Sequence, residues 1–146
     1  PKVATADGPL RLTAAGGVVV TGTVAVLRYI AALCPGAELL GRTAINEAEV
    51  DGWVEFANNE LMAHGPAGPA SLDAYGVAKV LGGLEAALLT RTYLVGHNLT
   101  LADVAMSSAL RNLMGDAAAA AAVAAAYPAV ARWFYTTAHA PALVAT

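Results

Sequence analysis

The sequence predicts a mostly α-helical fold, a helical bundle preceded by a β-hairpin and one helix. Three observations carry this. Apolar residues recur at helical spacing over most of the chain after Val24. Ahead of them, two short β-branched or alternating runs flank Ala14-Ala15-Gly16-Gly17, a turn signal. The third is a sharply specified helix start at Thr100 to Asp103.

The elements follow in order. Leu10-Arg11-Leu12-Thr13 alternates and Val18-Val19-Val20 is β-branched, so the pair predicts an antiparallel hairpin. Thr21-Gly22-Thr23 punctuates, and Val24, Leu27, Ile30 and Ala31 predict a helix that Pro35-Gly36 ends. From Thr43 to Leu61, Val50, Trp53, Val54, Ala57 and Leu61 mark one helix face, with Glu47, Glu49, Asp51 and Glu55 opposite. His64-Gly65-Pro66-Ala67-Gly68-Pro69 breaks the pattern. Ser71 is placed to cap the next helix, whose stripe is Val77, Val80, Leu81, Leu84 and Leu88.

At Thr100 the hydroxyl can cap a new helix, and Asp103, three residues on, can accept from the Thr100 amide. Leu99 and Val104 are spaced as a hydrophobic staple around that start. The spacing answers a backbone need, so Asp103 reads as a structural cap and not as an acid catalyst. The helix should reach about Met114 with Val104, Leu110 and Leu113 inward. Ala117–Ala126 is nine alanines and one valine, which favours helix and carries no functional signal. Tyr127-Pro128 opens a last helix bearing Val130, Trp133 and Phe134, with proline in its first turn.

Composition narrows the function. The 146 residues are one domain's worth of chain, or a small domain within a larger protein. Only 13% are charged, against roughly 25% in an average soluble protein, which suits a molecule with more than one covered face. Net charge is −3 and the basic residues are scattered singly, so autonomous nucleic-acid binding is not expected. The lone Cys34 rules out an internal disulfide framework; a buried, unreactive thiol in a reducing, cytoplasmic setting is expected. The uncharged run Ala117–Ala131 is shorter than the roughly 18 residues of a membrane span and contains Pro128. The first residues, Pro1-Lys2-Val3, carry no apolar signal segment. His64, His97 and His139 have no second ligand at metal-binding spacing. Trp53 and Trp133 read as core anchors.

The phrase Leu94-x-Gly96-x-x-Leu99-Thr100-x-Ala102-Asp103 resembles the C-terminal helical domain of the glutathione-transferase superfamily, where this box starts a central helix. Within it, the chain most resembles the truncated version fused or bound to eukaryotic aminoacyl-tRNA synthetases. Thr21-Gly22 with Val24–Ala31 is similar to the glutamyl-tRNA synthetase appended domain. Arg91-Thr92-Tyr93-Leu94-Val95-Gly96 through Asp103 is similar to that domain and to the auxiliary protein called elongation factor 1 epsilon. Leu39-Leu40-Gly41-Arg42-Thr43-Ala44 is similar to the auxiliary protein. Arg132-Trp133-Phe134, between Tyr127-Pro128 and His139-x-Pro141, resembles the seventh helix of both.

The resemblance implies residues 1–36 as a truncated thioredoxin-like remnant and 37–146 as the helical domain. Catalytic transferases seat glutathione on a complete thioredoxin-like unit. Eight residues precede Pro9, where that family has its cis-proline, and a βαβ unit needs about 30. The Glu-Ser pair that holds the glutamyl group of glutathione is Thr21-Gly22 here. The resemblance therefore implies a scaffold with no catalytic residue, no cofactor and no metal, even if the chain is an appended domain of a synthetase. Its partners would be other glutathione-transferase-like domains of synthetases or auxiliary proteins, without direct nucleic-acid or membrane contact; homodimerisation stays open. Two surfaces are implied. Arg132 would meet a counterpart arginine on the seventh helix, and Arg28 lies on the other face, formed by the remnant's helix and the first long helix. Planar guanidinium groups suit such interfaces. The rival is a glutathione transferase, or a fragment of one; a further one is the analogous domain of the elongation factor gamma subunit or a metaxin-like assembly protein.

Overall fold

The computed structural model describes residues 2–4, 10–62, 68–71 and 76–140. Strands β1 (Lys2–Ala4), β2 (Arg11–Thr13) and β3 (Val19–Thr21) form an antiparallel sheet in sequential order, with Leu12 opposite Val20. The hairpin between β2 and β3 turns through Gly16 and Gly17, both at positive φ, which glycine adopts without steric cost. β1 is an addition to the sequence reading, since three residues are too short for periodicity to register. Pro9 lies outside the described residues.

Helix α1 (Thr23–Ala32) lies against β2 and β3, and Leu12 and Val26 are buried there. Pro35-Gly36 stops it as expected, but Cys34 is exposed, not buried. It falls past the last packed turn, where the chain swings into a 3-10 turn at Pro35–Ala37.

Helix α2 (Ala44–Phe56) is capped by Thr43, whose hydroxyl accepts from the Asn46 amide at 3.2 Å. A π-helical turn, Ala57–Leu61, extends it. Val50, Val54, Ala57 and Leu61 are buried as the periodicity requires, while Trp53 is only half-buried. Helix α3 (Val77–Leu88) buries Val77, Val80, Leu81, Leu84 and Leu88. Its N-cap is Gly76, at φ 82°, so Ser71 does not cap it. Most of the preceding break, residues 64–67, lies outside the described residues. Gly68 within it is buried, at φ 74°, directly on the Ala109 carbonyl.

Helix α4 (Leu101–Gly115) is the centre, touching α1, α2, α5, α6 and the π-helical turn. Burial reaches round it, from Leu101, Ala102 and Asp103 through Met106, Ala109 and Leu110 to Leu113. Full burial of one such leucine contributes about 1.5–3 kcal/mol, so the bundle is held chiefly by what packs on α4. Helix α5 (Ala117–Ala126) is the alanine run, with Asp116 accepting from the Ala119 amide at 2.8 Å. Val123, its one larger residue, is fully buried, which fixes how an otherwise featureless helix is rotated. Helix α6 (Pro128–Ala138) packs on α3, α4 and α5 and buries Val130, Trp133 and Phe134. No helix among the described residues is long and apolar enough to cross a membrane.

Candidate protein-interaction faces

Thr100 and Asp103 form the expected capping box, and the structure adds two partners that spacing does not reveal. The Thr100 amide and hydroxyl both donate to Asp103 Oδ2 at 2.9 Å. Oδ1 accepts from the Leu94 amide at 2.9 Å and from Trp133 Nε1 at 2.8 Å. Asp103 is completely buried, and four donors satisfy its carboxylate. A buried charge is tolerated on those terms, and every lone pair committed to the fold is one withheld from chemistry. Trp133 is a core anchor as expected, with its one polar atom spent on Asp103. A further orphan donor at the start of α4, the Leu101 amide, is satisfied by the Leu39 carbonyl at 2.8 Å.

Arg132 lies on the outer side of α6 and is exposed. Its Nη2 donates to the carbonyls of Leu88, the last residue of α3, at 2.7 Å and of Arg91, in the loop beyond it, at 3.0 Å. Glu85 of α3 answers in the other direction. Its two carboxylate oxygens accept from the amides of Ala129, at 3.1 Å, and Val130, at 3.0 Å, in the first turn of α6. Each helix thus caps the other, with charge of the sign each helix end favours. Sequence reasoning missed Glu85, because it acts 44 residues away. Tyr135, one turn after Arg132, is 46% exposed with an edge-on contact to Phe134.

Arg28 projects from α1 to α2. Its Nη2 meets Glu47 at 2.7 Å, and its Nη1 meets Asp51. The three side chains are each a third to a half exposed, so the cluster adds at most about 1 kcal/mol and serves mainly to set the α1–α2 angle. Arg28 and Arg132 therefore stand on separate helices with separate intramolecular partners, and the structure does not bring them together. Trp53 and Phe56 meet edge-to-face at 5.8 Å and 87° and line a groove with Glu49, Gly52 and Gly83, between α2 and α3. The signal for this second stripe is the spacing Ile45, Glu49, Gly52, Phe56, which the core stripe Val50, Val54, Ala57 overshadows.

Chemical groups are sparse elsewhere. His97 lines a polar crevice with Asn46, Glu49 and Arg91, and His139 Nδ1 lies 2.8 Å from the Tyr135 carbonyl. Among the described residues no cluster of three metal-ligating side chains occurs, and no hydroxyl or thiol is hydrogen-bonded to a histidine.

Residues 74–141 match the glutathione S-transferase C-terminal domain, and the fold around them is glutathione-transferase-like. Elongation factor 1-gamma of Trypanosoma cruzi is 42% identical over 99 residues, 60% of this chain and 24% of that protein. The bifunctional glutamate/proline–tRNA ligase of Cricetulus griseus is 32% identical over 94 residues, 64% of this chain and 6% of the ligase. Among solved structures, the GST-like domain of elongation factor 1-gamma from Saccharomyces cerevisiae superposes with a TM-score of 0.70 at 25% identity, covering 91% of this chain and 69% of that one. The chain thus spans between 5% and 34% of the length of such curated relatives.

Proposed function

We propose that this chain is a non-catalytic docking domain of the translation apparatus, joining aminoacyl-tRNA synthetases or auxiliary factors into a larger assembly. One observation carries the reading. An elongation factor subunit and a tRNA ligase each contain a region similar to this chain, and it is a minor share of both, 24% and 6%. A module attached to two such different proteins is suited to holding them in place.

The domain division follows the same reading, with residues 1–36 as a thioredoxin-like remnant and 37–146 as the helical part. At the position where transferases hold the glutamyl group of glutathione, Gly22 offers no side chain and sits at φ 103°. Association would use two flanks, the α1–α2 side with Arg28 and the outer side of α6 with Arg132, its partners other glutathione-transferase-like domains in the cytoplasm.

Arg132→Ala also removes a cap from α3, so a second variant is needed. Co-purification with mass spectrometry is run on Arg132→Ala and Tyr135→Ala, the latter losing exposed surface but no hydrogen bond made by its side chain. Loss of one partner from both variants, with helical content intact, is expected. An unchanged partner set would reject the α6 assignment.

The family match itself favours a second reading, a glutathione transferase. Retention on glutathione-agarose and strong conjugating activity by the full-length protein would establish it and end the scaffold reading.

A further inference from the structure

We propose that the polar crevice between the first two turns of α2 and the loop joining α3 to α4 binds a small zwitterion. Arg91 would hold its carboxylate and Glu49 its ammonium. The proposal goes beyond the docking reading and does not depend on it.

Most small-molecule sites are largely apolar with a few placed polar groups. This crevice is the reverse. Asn46 and Glu49 from α2 line it with Thr90, Arg91, Thr92 and His97 from the loop, and the one remaining lining residue is Gly96. Its volume of about 340 Å³ suits a small molecule rather than a protein segment. A ligand without apolar surface of its own is what such a lining selects.

Charge narrows the class further. In the adjoining crevice, which shares Asn46 and His97, Arg42 donates to Glu38 and the two charges satisfy each other. Glu49 and Arg91 do not. They line one crevice with opposite charge, both exposed, yet form no ion pair among the described residues. A lone anion there would meet Glu49 as well as Arg91, and a lone cation the converse. A molecule carrying both charges meets its opposite at each end.

The walls are held before any ligand arrives. On the α2 side the Thr43 hydroxyl accepts from the Asn46 amide, and a Cβ built on Gly41 would lie 2.6 Å from Asn46 Cβ. On the loop side the Arg91 carbonyl accepts from Arg132 at 3.0 Å, and Arg91 Nη1 donates to the Leu94 carbonyl at 3.3 Å. That leaves most of the five guanidinium N–H groups for a carboxylate. Fixed walls lower the cost of ordering the site on binding.

The isotope-labelled chain is titrated with glycine, β-alanine and γ-aminobutyrate, whose charges stand progressively farther apart, and with acetate and methylammonium. Ionic strength is matched, and amide resonances report. The best-spaced zwitterion should saturate, move amides in 46–49 and 90–97, and bind about tenfold or more tightly than acetate or methylammonium, because its two contacts act in one molecule. Arg91→Gln should abolish the acetate response and spare that of methylammonium, and Glu49→Gln should do the opposite. A folding defect cannot produce that crossed pattern. Equal binding of all five probes, shifts that fail to saturate or that fall outside the crevice, or zwitterion binding unchanged in both variants would each overturn the proposal.

Discussion

The indole nitrogen of Trp133 donates to Asp103 Oδ1 at 2.8 Å, fastening the middle of α6 to the first turn of α4. The same carboxylate holds the Leu94 amide in the loop before α4. One side chain thus fixes a helix start, a loop and a second helix.

Removing that carboxylate should be costly. Asp103→Ala leaves the Leu94 and Thr100 amides and the Trp133 indole buried without acceptors, which predicts a loss of about 3 kcal/mol or more. Asp103→Asn keeps the shape but turns an NH2 towards donors, so it should fall between the alanine variant and the natural chain. A double-mutant cycle with Trp133→Phe, read by urea denaturation, should give a coupling of about 1–3 kcal/mol. Additive effects would show that the hydrogen bond contributes nothing of its own.

Gly68 offers a backbone test. A Cβ there would lie 1.8 Å from the Ala109 carbonyl oxygen, and φ is 74°. Gly68→Ala must either push α4 or distort the loop, at an expected cost of about 2–4 kcal/mol. Gly76→Ala has a comparable positive φ, 82° in the left-handed region, but open space around it, so it should cost only the conformational part, about 1–2 kcal/mol. Equal thermal shifts for the two would refute close packing at Gly68.

The mutual capping of α3 and α6 makes a directional forecast. Glu85→Ala frees the Ala129 and Val130 amides and should destabilise by about 1–2 kcal/mol. Hydrogen exchange should accelerate first at those two amides. Arg132→Ala loses contacts from an exposed side chain, so its stability change should be the smaller of the two. If Arg132→Ala proved the more damaging, α3 would depend on its cap far more than this geometry implies.

Thr137 supplies a case of opposite sign. It is completely buried on α6, and its hydroxyl oxygen has no hydrogen-bond partner among the described residues. Thr137→Val removes an unsatisfied polar atom, so stability should be unchanged or rise by about 1 kcal/mol. A loss above that size in a melting experiment would mean that the hydroxyl is satisfied in solution.

What the sequence disclosed was set by range. The core stripe of α3, the stop at Pro35-Gly36 and the box at Thr100–Asp103 are local, a few residues reporting on their own backbone. Asp103 was legible as a cap and not as the acceptor for Trp133, because that bond spans 30 residues. Glu85 gave no sign for the same reason. Trp53 shows the other failure. It shares helical spacing with Val50 and Ala57, but one position of rotation carries its ring to the edge of the core, and residue type alone does not choose between floor and rim. Ser71 had suitable chemistry for a cap, yet the turn into α3 runs through Gly76, whose backbone reaches a left-handed conformation unaided. Cys34 was misjudged because burial depends on what lies opposite the last turn of α1, which no local pattern records.

Helix α6 is clamped at its first turn by Glu85, at its centre by Asp103 through Trp133, and along its outer edge by Arg132. A protein landing on its outward side meets a rigid template whose conformational freedom was surrendered when the chain folded. Control over such a contact would have to come through abundance, competition or chemical marking of the surface, since there is little shape left to switch.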